Sequence, residues 1–205
     1  LYFPGDGGWR GFAIDIAKSL ASVGYDVFAV DTHTYLTAFT NHRTLSEAEM
    51  RADLLELARR LGEGHPLFFV GWSQGAAMAA LAGAAPEASS LFAGIAAIGL
   101  PPRAVLGWRF ADNLTWLTGK LPNEPFFEVR PHLQRLAALP FVLIQSRGDE
   151  FTSPAEAESL FDAATGPKKL FWIDSADHKF STRRPDFFQS LRAALDWLEL
   201  SRRPA

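Results

Sequence analysis

Residues 70–76 read Val70-Gly71-Trp72-Ser73-Gln74-Gly75-Ala76, a Gly-x-Ser-x-Gly pentapeptide with one flanking residue on each side. An apolar run at 66–70 precedes it, and an alanine-rich run at 76–82 follows it. This succession of strand, tight turn and helix is typical of a nucleophile elbow, which raises a strained serine above the edge of a sheet. The alternative interpretation is a glycine-rich turn in which Ser73 only caps the following helix.

Composition and charge exclude several classes of protein. The chain has 205 residues, of which 48% are apolar and 21% are charged, as in an ordinary globular domain. A net charge of −3 gives no electrostatic basis for binding nucleic acid. The chain has no cysteine, which excludes a thiol nucleophile and a zinc–thiolate site, and its histidines and acids show no metal-ligand spacing. We therefore expect neither a metal nor a cofactor.

Apolar runs alternate with helical patterns along most of the chain. Strands are predicted at residues 1–3, 25–31, 66–70, 92–100, 140–145 and 168–173, and helices at 10–23, 44–61, 76–82, 153–164 and 185–200. The alternation predicts one α/β domain over residues 1–205, with a mostly parallel, doubly wound sheet and helices on both faces. A polar and aromatic loop is predicted at 32–43, and no apolar run is long enough to span a membrane. The chain opens on the end of a strand rather than on Met, so we expect it to start downstream of another segment, such as a signal peptide.

The alternation breaks down at residues 101–139. This stretch holds five prolines and the aromatic residues Trp108, Phe110, Trp116, Phe126 and Phe127. A long irregular segment inside a compact domain is typically a lid or a binding loop, and the aromatic content argues against disorder. We interpret 101–139 as a lid-like insertion over the serine. The alternative is that its aromatic side chains only pack on the sheet.

Three candidate catalytic residues fall after predicted strands, in the order Ser73, Asp149, His178. This is the chain order of nucleophile, acid and base in the α/β-hydrolase fold, which we therefore expect here. His178 would take the proton of the Ser73 hydroxyl during attack and return it to the leaving group. Asp149 would fix the tautomer of the histidine and stabilise the imidazolium. The alternative acids are Glu150, Asp174 and Asp177.

The glycine-rich segment Pro4-Gly5-Asp6-Gly7-Gly8-Trp9 lets the backbone approach a substrate closely. We expect it to be the oxyanion loop, with the backbone N–H groups of Asp6 and Gln74 donating to the substrate carbonyl oxygen. The Asp6 carboxylate could meet an ammonium group, but short acids in glycine loops commonly accept hydrogen bonds from their own backbone, so we favour that role. The residues expected to line the substrate pocket are Gly7, Trp9, His33, Tyr35, Trp72 and Trp108.

Several motifs resemble those of the bacterial virulence protein family VirJ/AcvB. They are Gly5-Asp6-Gly7-Gly8-Trp9, Asp31 with Tyr35, Arg43-Thr44, Asp53-Leu54 and the serine elbow. The resemblance runs over most of the chain and is strongest in its first half. It implies a periplasmic or secreted protein. Some members of the family hydrolyse aminoacyl esters of phosphatidylglycerol, which implies peripheral contact with membrane lipid.

The function that these residues favour is metal-free hydrolysis of a carboxylic ester through an acyl-enzyme. An aromatic lid and a spare carboxylate at Asp6 are compatible with an aminoacyl-phospholipid, so the expected partner is a lipid or small-molecule ester. One alternative is a small-molecule carboxylesterase or thioesterase. Another, in a different class, is a non-catalytic binding protein on a hydrolase fold.

Overall fold

Five parallel strands form the central sheet of the computed structural model, which describes residues 1–38, 45–107, 125–136 and 139–202. In chain order, the strands of the described residues are β1 (Tyr2–Phe3), β2 (Leu67–Trp72), β3 (Phe92–Ile98), β4 (Arg103–Val105), β5 (Phe126–Glu128), β6 (Phe141–Ser146) and β7 (Lys168–Ile173). The sheet has the order β1-β2-β3-β6-β7, and every neighbouring pair is parallel. The predicted parallel α/β architecture is confirmed.

Helices cover both faces of the sheet, and two of them begin at a serine cap. The helices of the described residues are α1 (Phe12–Ser22), α2 (Thr32–Thr37), α3 (Glu47–Gly62), α4 (Gln74–Gly83), α5 (Ala88–Leu91), α6 (Arg130–Leu133), α7 (Pro154–Ala163) and α8 (Arg184–Arg202). Ser46 caps α3 and Ser153 caps α7, each in a capping box with the glutamate three residues later. Both N-termini therefore follow from local sequence.

The core has two halves because successive residues of a strand point to opposite faces of the sheet. On β3, Ile95 and Ala97 pack with α3 and α4, whereas Ala96 and Ile98 pack with α1 and α8. All ten residues of α4 are buried. Because this helix consists largely of alanine and glycine, it lies close to the sheet and is enclosed on every side. The helix that follows Ser73 is thus held firmly in place.

The prediction of a buried strand at residues 25–31 is wrong. A single parallel bridge joins Tyr2 to Ala29, and the Val30 N–H donates to the Tyr2 carbonyl at 3.0 Å. Because β1 has only two residues, it cannot form a longer ladder of hydrogen bonds with this segment. Residues 25–31 are half-buried or exposed. The bridge puts this segment on the outer side of β1, so the chain moves outward from β1 and then returns to β2 on the inner side. That reversal makes the sheet doubly wound, with β1 and β2 beside its switch point.

The two long predicted loops contain regular structure. The first begins with α2, whose capping residue Asp31 accepts the Thr34 N–H at 3.1 Å, while residues 39–44 lie outside the described chain. In the second, β4 and β5 form an antiparallel pair followed by α6. Residues 108–124 and 137–138 of that segment also lie outside the described chain. The lid interpretation of 101–139 therefore stays a prediction.

We expect Gly75→Ala to lower the free energy of unfolding by about 3 kcal/mol or more, because the added Cβ would collide with the carbonyl groups of Phe3 and Pro4. Urea denaturation measures the change. Gly62→Ala is the matched control: its Cβ would meet Leu67 side-chain atoms at an ordinary 3.6 Å, so stability should stay within about 1 kcal/mol of wild type. Equal stability of the two variants would contradict the close approach of α4 to β1.

Candidate active site

Ser73 occupies the turn between β2 and α4, in a backbone conformation that L residues rarely adopt. Its φ is 56° and its ψ is −119°, and its N–H donates to the Ile98 carbonyl at 2.8 Å. A Cβ on Gly71 would collide with the Gly75 carbonyl, so only glycine fits where these backbones cross. The Ser73 side chain makes no capping hydrogen bond to α4. The helix-cap interpretation of this serine is therefore wrong, and its strain belongs to the turn itself.

A buried acid–imidazole pair lies in the loops after β6 and β7. The Oδ2 atom of Asp149 accepts a hydrogen bond from Nδ1 of His178 at 2.7 Å, and the two side chains are 0% and 5% exposed, respectively. This bond places the Nδ1 proton on the side of the acid and leaves Nε2 as the free acceptor. Nε2 is buried and has no hydrogen-bond partner in the described chain. The pair thus has the arrangement of a base oriented by a carboxylate.

Three further donors hold the Asp149 carboxylate. Oδ1 accepts the backbone N–H groups of Phe151 at 2.9 Å and Thr152 at 3.2 Å, and Oδ2 accepts Nε2 of Gln145 at 2.8 Å. Gln145 is fully buried at the end of β6, and its Oε1 accepts the Leu100 N–H at 3.1 Å. The sequence prediction did not include Gln145. The one sequence feature that could have identified it is an amide side chain near the end of a largely apolar strand.

The His178 ring is packed between aromatic groups and a glycine. Its centroid lies 5.7 Å from the Trp72 ring and 5.1 Å from the Phe151 ring. Gly99 has a φ of +56°, and a Cβ there would lie 2.6 Å from His178 Cε1, so the ring uses space that only glycine leaves. These contacts fix the ring plane as well as its hydrogen bond.

The alternative acids contact other groups. Glu150 accepts the backbone N–H of His178 at 2.8 Å rather than its ring. Asp177 accepts the N–H groups of Lys179 and Ser181 within its own loop. Asp174 forms an ion pair with Arg147 at 3.0 Å.

The glycine-rich loop after β1 passes directly beside the serine. A Cβ on Gly5 would lie 3.3 Å from Cβ of Ser73 and 3.8 Å from its Oγ. The backbone N–H groups of Asp6 and Gln74 have no acceptor among the described residues. The Asp6 carboxylate is exposed and accepts no hydrogen bond from the described part of its loop, so our expectation that it braces the loop is wrong. The compact Gly5–Gly8 turn, in which the Gly8 N–H donates to the Gly5 carbonyl at 3.0 Å, does not require it.

Helix α2 supports this loop from behind, which the sequence prediction missed. The Thr32 hydroxyl donates to the Pro4 carbonyl at 2.8 Å, and His33 Nδ1 donates to the Asp6 carbonyl at 3.0 Å. Gly8 packs so closely against the helix cap that its Cβ would lie 2.7 Å from Oδ1 of Asp31. Asp31 therefore acts by capping the helix that fixes the loop.

A cavity of about 790 Å³ lies over Ser73 and His178. Gly7 and Trp72 line it as expected, together with the apolar residues Val105, Phe126 and Phe151. Its volume is within the range of small-molecule and cofactor sites.

Three other residues expected in the cavity do not line it. Trp9 is 42% exposed and packs edge-to-face on Tyr2, and the Tyr35 hydroxyl donates to Asp53 at 2.8 Å. His33 lies behind the glycine-rich loop, where it donates to the Asp6 carbonyl. The fourth expected residue, Trp108, lies outside the described chain. The sequence pattern indicates the edge of the sheet near which Trp9, His33 and Tyr35 lie, but it does not determine the directions of their side chains.

The side chain of Gln74 joins the elbow to β4. Its Nε2 donates to the Val105 carbonyl at 2.8 Å, and its Oε1 accepts the Val105 N–H at 3.1 Å. The sequence prediction used only the backbone N–H of this residue. Its amide also fixes one wall of the cavity relative to the serine.

In the described ranges, no cluster of three or more histidine or acidic side chains is arranged to hold a metal ion. No helix within those ranges is both long enough and apolar enough to cross a membrane.

Known structures resemble this chain over nearly its whole length. The esterase domain of a Rhodothermus marinus protein is 21% identical with a TM-score of 0.61, covering 94% of this chain and 83% of that one. An esterase of Pyrococcus furiosus is 17% identical with a TM-score of 0.68, covering 95% and 79%. A membrane phospholipase A described as a bacterial virulence factor is 16% identical with a TM-score of 0.66, covering 97% and 78%. At these identities the likeness shows the fold alone.

Sequence comparison gives a family for the first part of the chain. No curated protein sequence matches the chain significantly. Residues 1–95, which include the glycine-rich loop, α2 and the serine elbow, match the family model of the bacterial virulence protein (VirJ). The chain thus has an α/β-hydrolase fold, and the predicted similarity to the VirJ family is confirmed over residues 1–95.

Proposed function

We propose that the protein is a serine hydrolase that cleaves a carboxylic ester through a covalent acyl-enzyme. The observation that carries this proposal is the buried hydrogen bond of 2.7 Å between Asp149 and His178, with His178 Nε2 left unpartnered beside the cavity that Ser73 also lines. The structure has no hydrogen bond between Ser73 Oγ and His178 Nε2. Such bonds are commonly long in the absence of substrate and form in the Michaelis complex.

The reaction proceeds in two half-reactions. Ser73 Oγ attacks the ester carbonyl carbon while His178 Nε2 takes the hydroxyl proton, and Asp149 stabilises the resulting imidazolium. The imidazolium then gives its proton to the leaving alkoxide, and the acyl group stays on the serine. Water attacks the acyl-enzyme with His178 again as base, releasing the carboxylic acid and restoring Ser73.

The oxyanion of each tetrahedral intermediate is assigned to the backbone N–H groups of Asp6 and Gln74. The proximity of Gly5 to Ser73 supports this role, as does the position of Gln74 at the N-terminus of α4, where the helix dipole is positive. Donors that are fixed before reaction stabilise the developing charge without a reorganisation cost. The hydrogen bonds from α2 to the Pro4 and Asp6 carbonyl groups hold the loop, and with it the Asp6 N–H, in position.

For the substrate we propose an aminoacyl-phospholipid, cleaved by a periplasmic or secreted enzyme at a lipid surface. The VirJ match and the cavity with exposed Phe126 and Phe151 in its wall support this assignment. A panel of aminoacyl-phosphatidylglycerol, simple lipid esters and nitrophenyl esters tests it. Turnover of the nitrophenyl esters alone would instead support a small-molecule esterase.

We expect Ser73→Ala to lower kcat by about 10⁴-fold or more and to abolish labelling by a fluorophosphonate probe, because the nucleophile is lost. Circular dichroism checks that the fold is retained. A variant that keeps most of its activity would overturn the serine-hydrolase proposal. Absence of labelling in the wild-type protein would instead favour a binding protein.

We expect Asp149→Asn to lower kcat by about 10³- to 10⁴-fold, because an amide no longer holds the histidine in the required tautomer. Asp177→Asn is the matched control, since Asp177 accepts only loop N–H groups and an amide oxygen can still accept them. Steady-state kinetics on one ester compares the two variants. A comparable loss in both would remove Asp149 from its assigned role.

We expect Gln145→Met to reduce both stability and kcat. Methionine has a similar shape but leaves the buried Leu100 N–H unpaired and removes one donor from Asp149, at a cost of about 1–3 kcal/mol. Gln134→Met changes an exposed glutamine and should alter stability by no more than about 0.5 kcal/mol. Urea denaturation and kcat measured on both proteins test whether Gln145 positions the acid. Wild-type kcat in Gln145→Met would show that it does not.

A further inference from the structure

The cavity over Ser73 carries a surplus of positive charge. Among the residues that the structure describes, its lining includes four cationic side chains, Arg10, Arg103, Lys179 and Arg184, against one carboxylate, that of Asp6. The chain as a whole has the opposite sign, with a net charge of −3. The positive charge of the lining is therefore a local feature and not a consequence of the overall charge.

Two of these cations already have partners. Arg103 forms an ion pair of 2.7 Å with Glu128 on the neighbouring strand. Arg184 approaches Asp15 only at 3.7 Å, and its guanidinium lies 3.7 Å from the centroid of the Phe12 ring. Burial lowers the pKa of Arg184 from its ordinary value, and its Nε is buried without a hydrogen-bond partner in the described chain. Arg184 is thus only partly compensated.

Arg10 and Lys179 have no ion pair with any described carboxylate, and both lie beside the reacting groups. A Cβ on Gly7 would be 3.7 Å from Nη2 of Arg10, so this guanidinium lies against the oxyanion loop. Lys179 directly follows His178 and is exposed at the cavity. The cavity therefore presents to an entering substrate two cationic side chains that have no ion-pair partner among the described residues.

We propose that the cavity binds an ester carrying an anionic group, a carboxylate or a phosphate, close to the scissile bond, with Arg10, Lys179 and Arg184 as its binding residues. Turnover of such an ester rests on the proposed function, whereas binding of the anion does not. With Arg103 paired to Glu128 and Arg184 partly compensated by Asp15, Arg10 and Lys179 still outnumber the Asp6 carboxylate, which makes the cavity unfavourable for a substrate whose only charge is an ammonium group. Within the aminoacyl-phospholipid assignment, recognition then acts on the phosphate rather than on the amino group.

Matched ester pairs test the proposal by turnover. Nitrophenyl hemisuccinate differs from nitrophenyl butyrate mainly by a carboxylate in place of a methyl group, and a glycerol phosphate butyrate differs from glycerol butyrate by its phosphate. We expect the anionic member of at least one pair to have the higher kcat/KM. The pair that shows the preference identifies whether the anion belongs to the acyl or the alcohol part. The preference should weaken between about 20 mM and about 500 mM NaCl, because exposed charges are screened.

The variants Arg10→Gln and Lys179→Gln test which residues supply the preference. Each should lower the ratio of kcat/KM for the anionic ester to that for its neutral partner by about fivefold or more, since a charge-assisted contact is lost. Lys18→Gln makes the same change of charge at an exposed position on α1, outside the cavity lining, and should leave the ratio unchanged. An unchanged ratio in both cavity variants, or an equal fall in Lys18→Gln, would overturn the proposal.

A binding measurement separates this inference from the proposed function. Calorimetric titration of Ser73→Ala with glycerol 3-phosphate should show binding that glycerol does not, and Arg10→Gln in the same background should weaken it by about fivefold or more. Binding of the anion without turnover of any ester would support this inference and overturn the hydrolase proposal. Turnover of esters without anion binding and without a preference for anionic esters would support the hydrolase proposal and overturn this inference.

Discussion

The contact on which the site depends is that of Gly75 with the end of β1. The backbone of α4 approaches the carbonyl groups of Phe3 and Pro4 so closely that no side chain fits at this position. The glycine-rich loop that follows β1 consequently passes so close to Ser73 that a Cβ on Gly5 would lie 3.3 Å from Cβ of Ser73. Ser73 and the glycine-rich loop, nearly seventy positions apart in sequence, are thereby fixed relative to each other by backbone packing.

A second layer of contacts holds each element from behind. Helix α2 fixes the loop through the carbonyl groups of Pro4 and Asp6, and Gln145 fixes Asp149 while it satisfies the Leu100 N–H. The Thr152 hydroxyl adds a bond of 3.1 Å to the Leu100 carbonyl, which ties the acid loop to the end of β3. Since a geometric error of about 1 Å can cost a large factor in rate, this support is as necessary as the reacting groups.

Features with a local or periodic cause could be predicted from the sequence. Parallel strands, serine caps and the elbow each follow from a short pattern, and the order of Ser73, Asp149 and His178 follows from strand ends. The segment at 25–31 was misjudged because its apolar residues suggest a strand, whereas strand length depends on the two-residue partner β1. Local sequence also does not determine side-chain direction, so Tyr35 and Trp9 were expected in a cavity that they do not line. The support supplied by Gln145 and by α2 depends on partners far apart in the chain, which no local pattern contains.

The charges around the site fall into two classes that should affect different kinetic parameters. The Asp149 side chain is fully buried, so in the proposed reaction its interaction with the imidazolium would be little screened and would act on the charge that appears at His178. Arg10 and Lys179 are exposed, so their field attracts and orients a charged substrate but is damped by salt. Loss of the buried acid should therefore appear chiefly in kcat, and loss of an exposed cation in KM for anionic esters. Under the two proposals, the fold assigns the reaction and the selection of substrate to different charges, because burial determines which charges would act on the transition state and which on the approaching substrate.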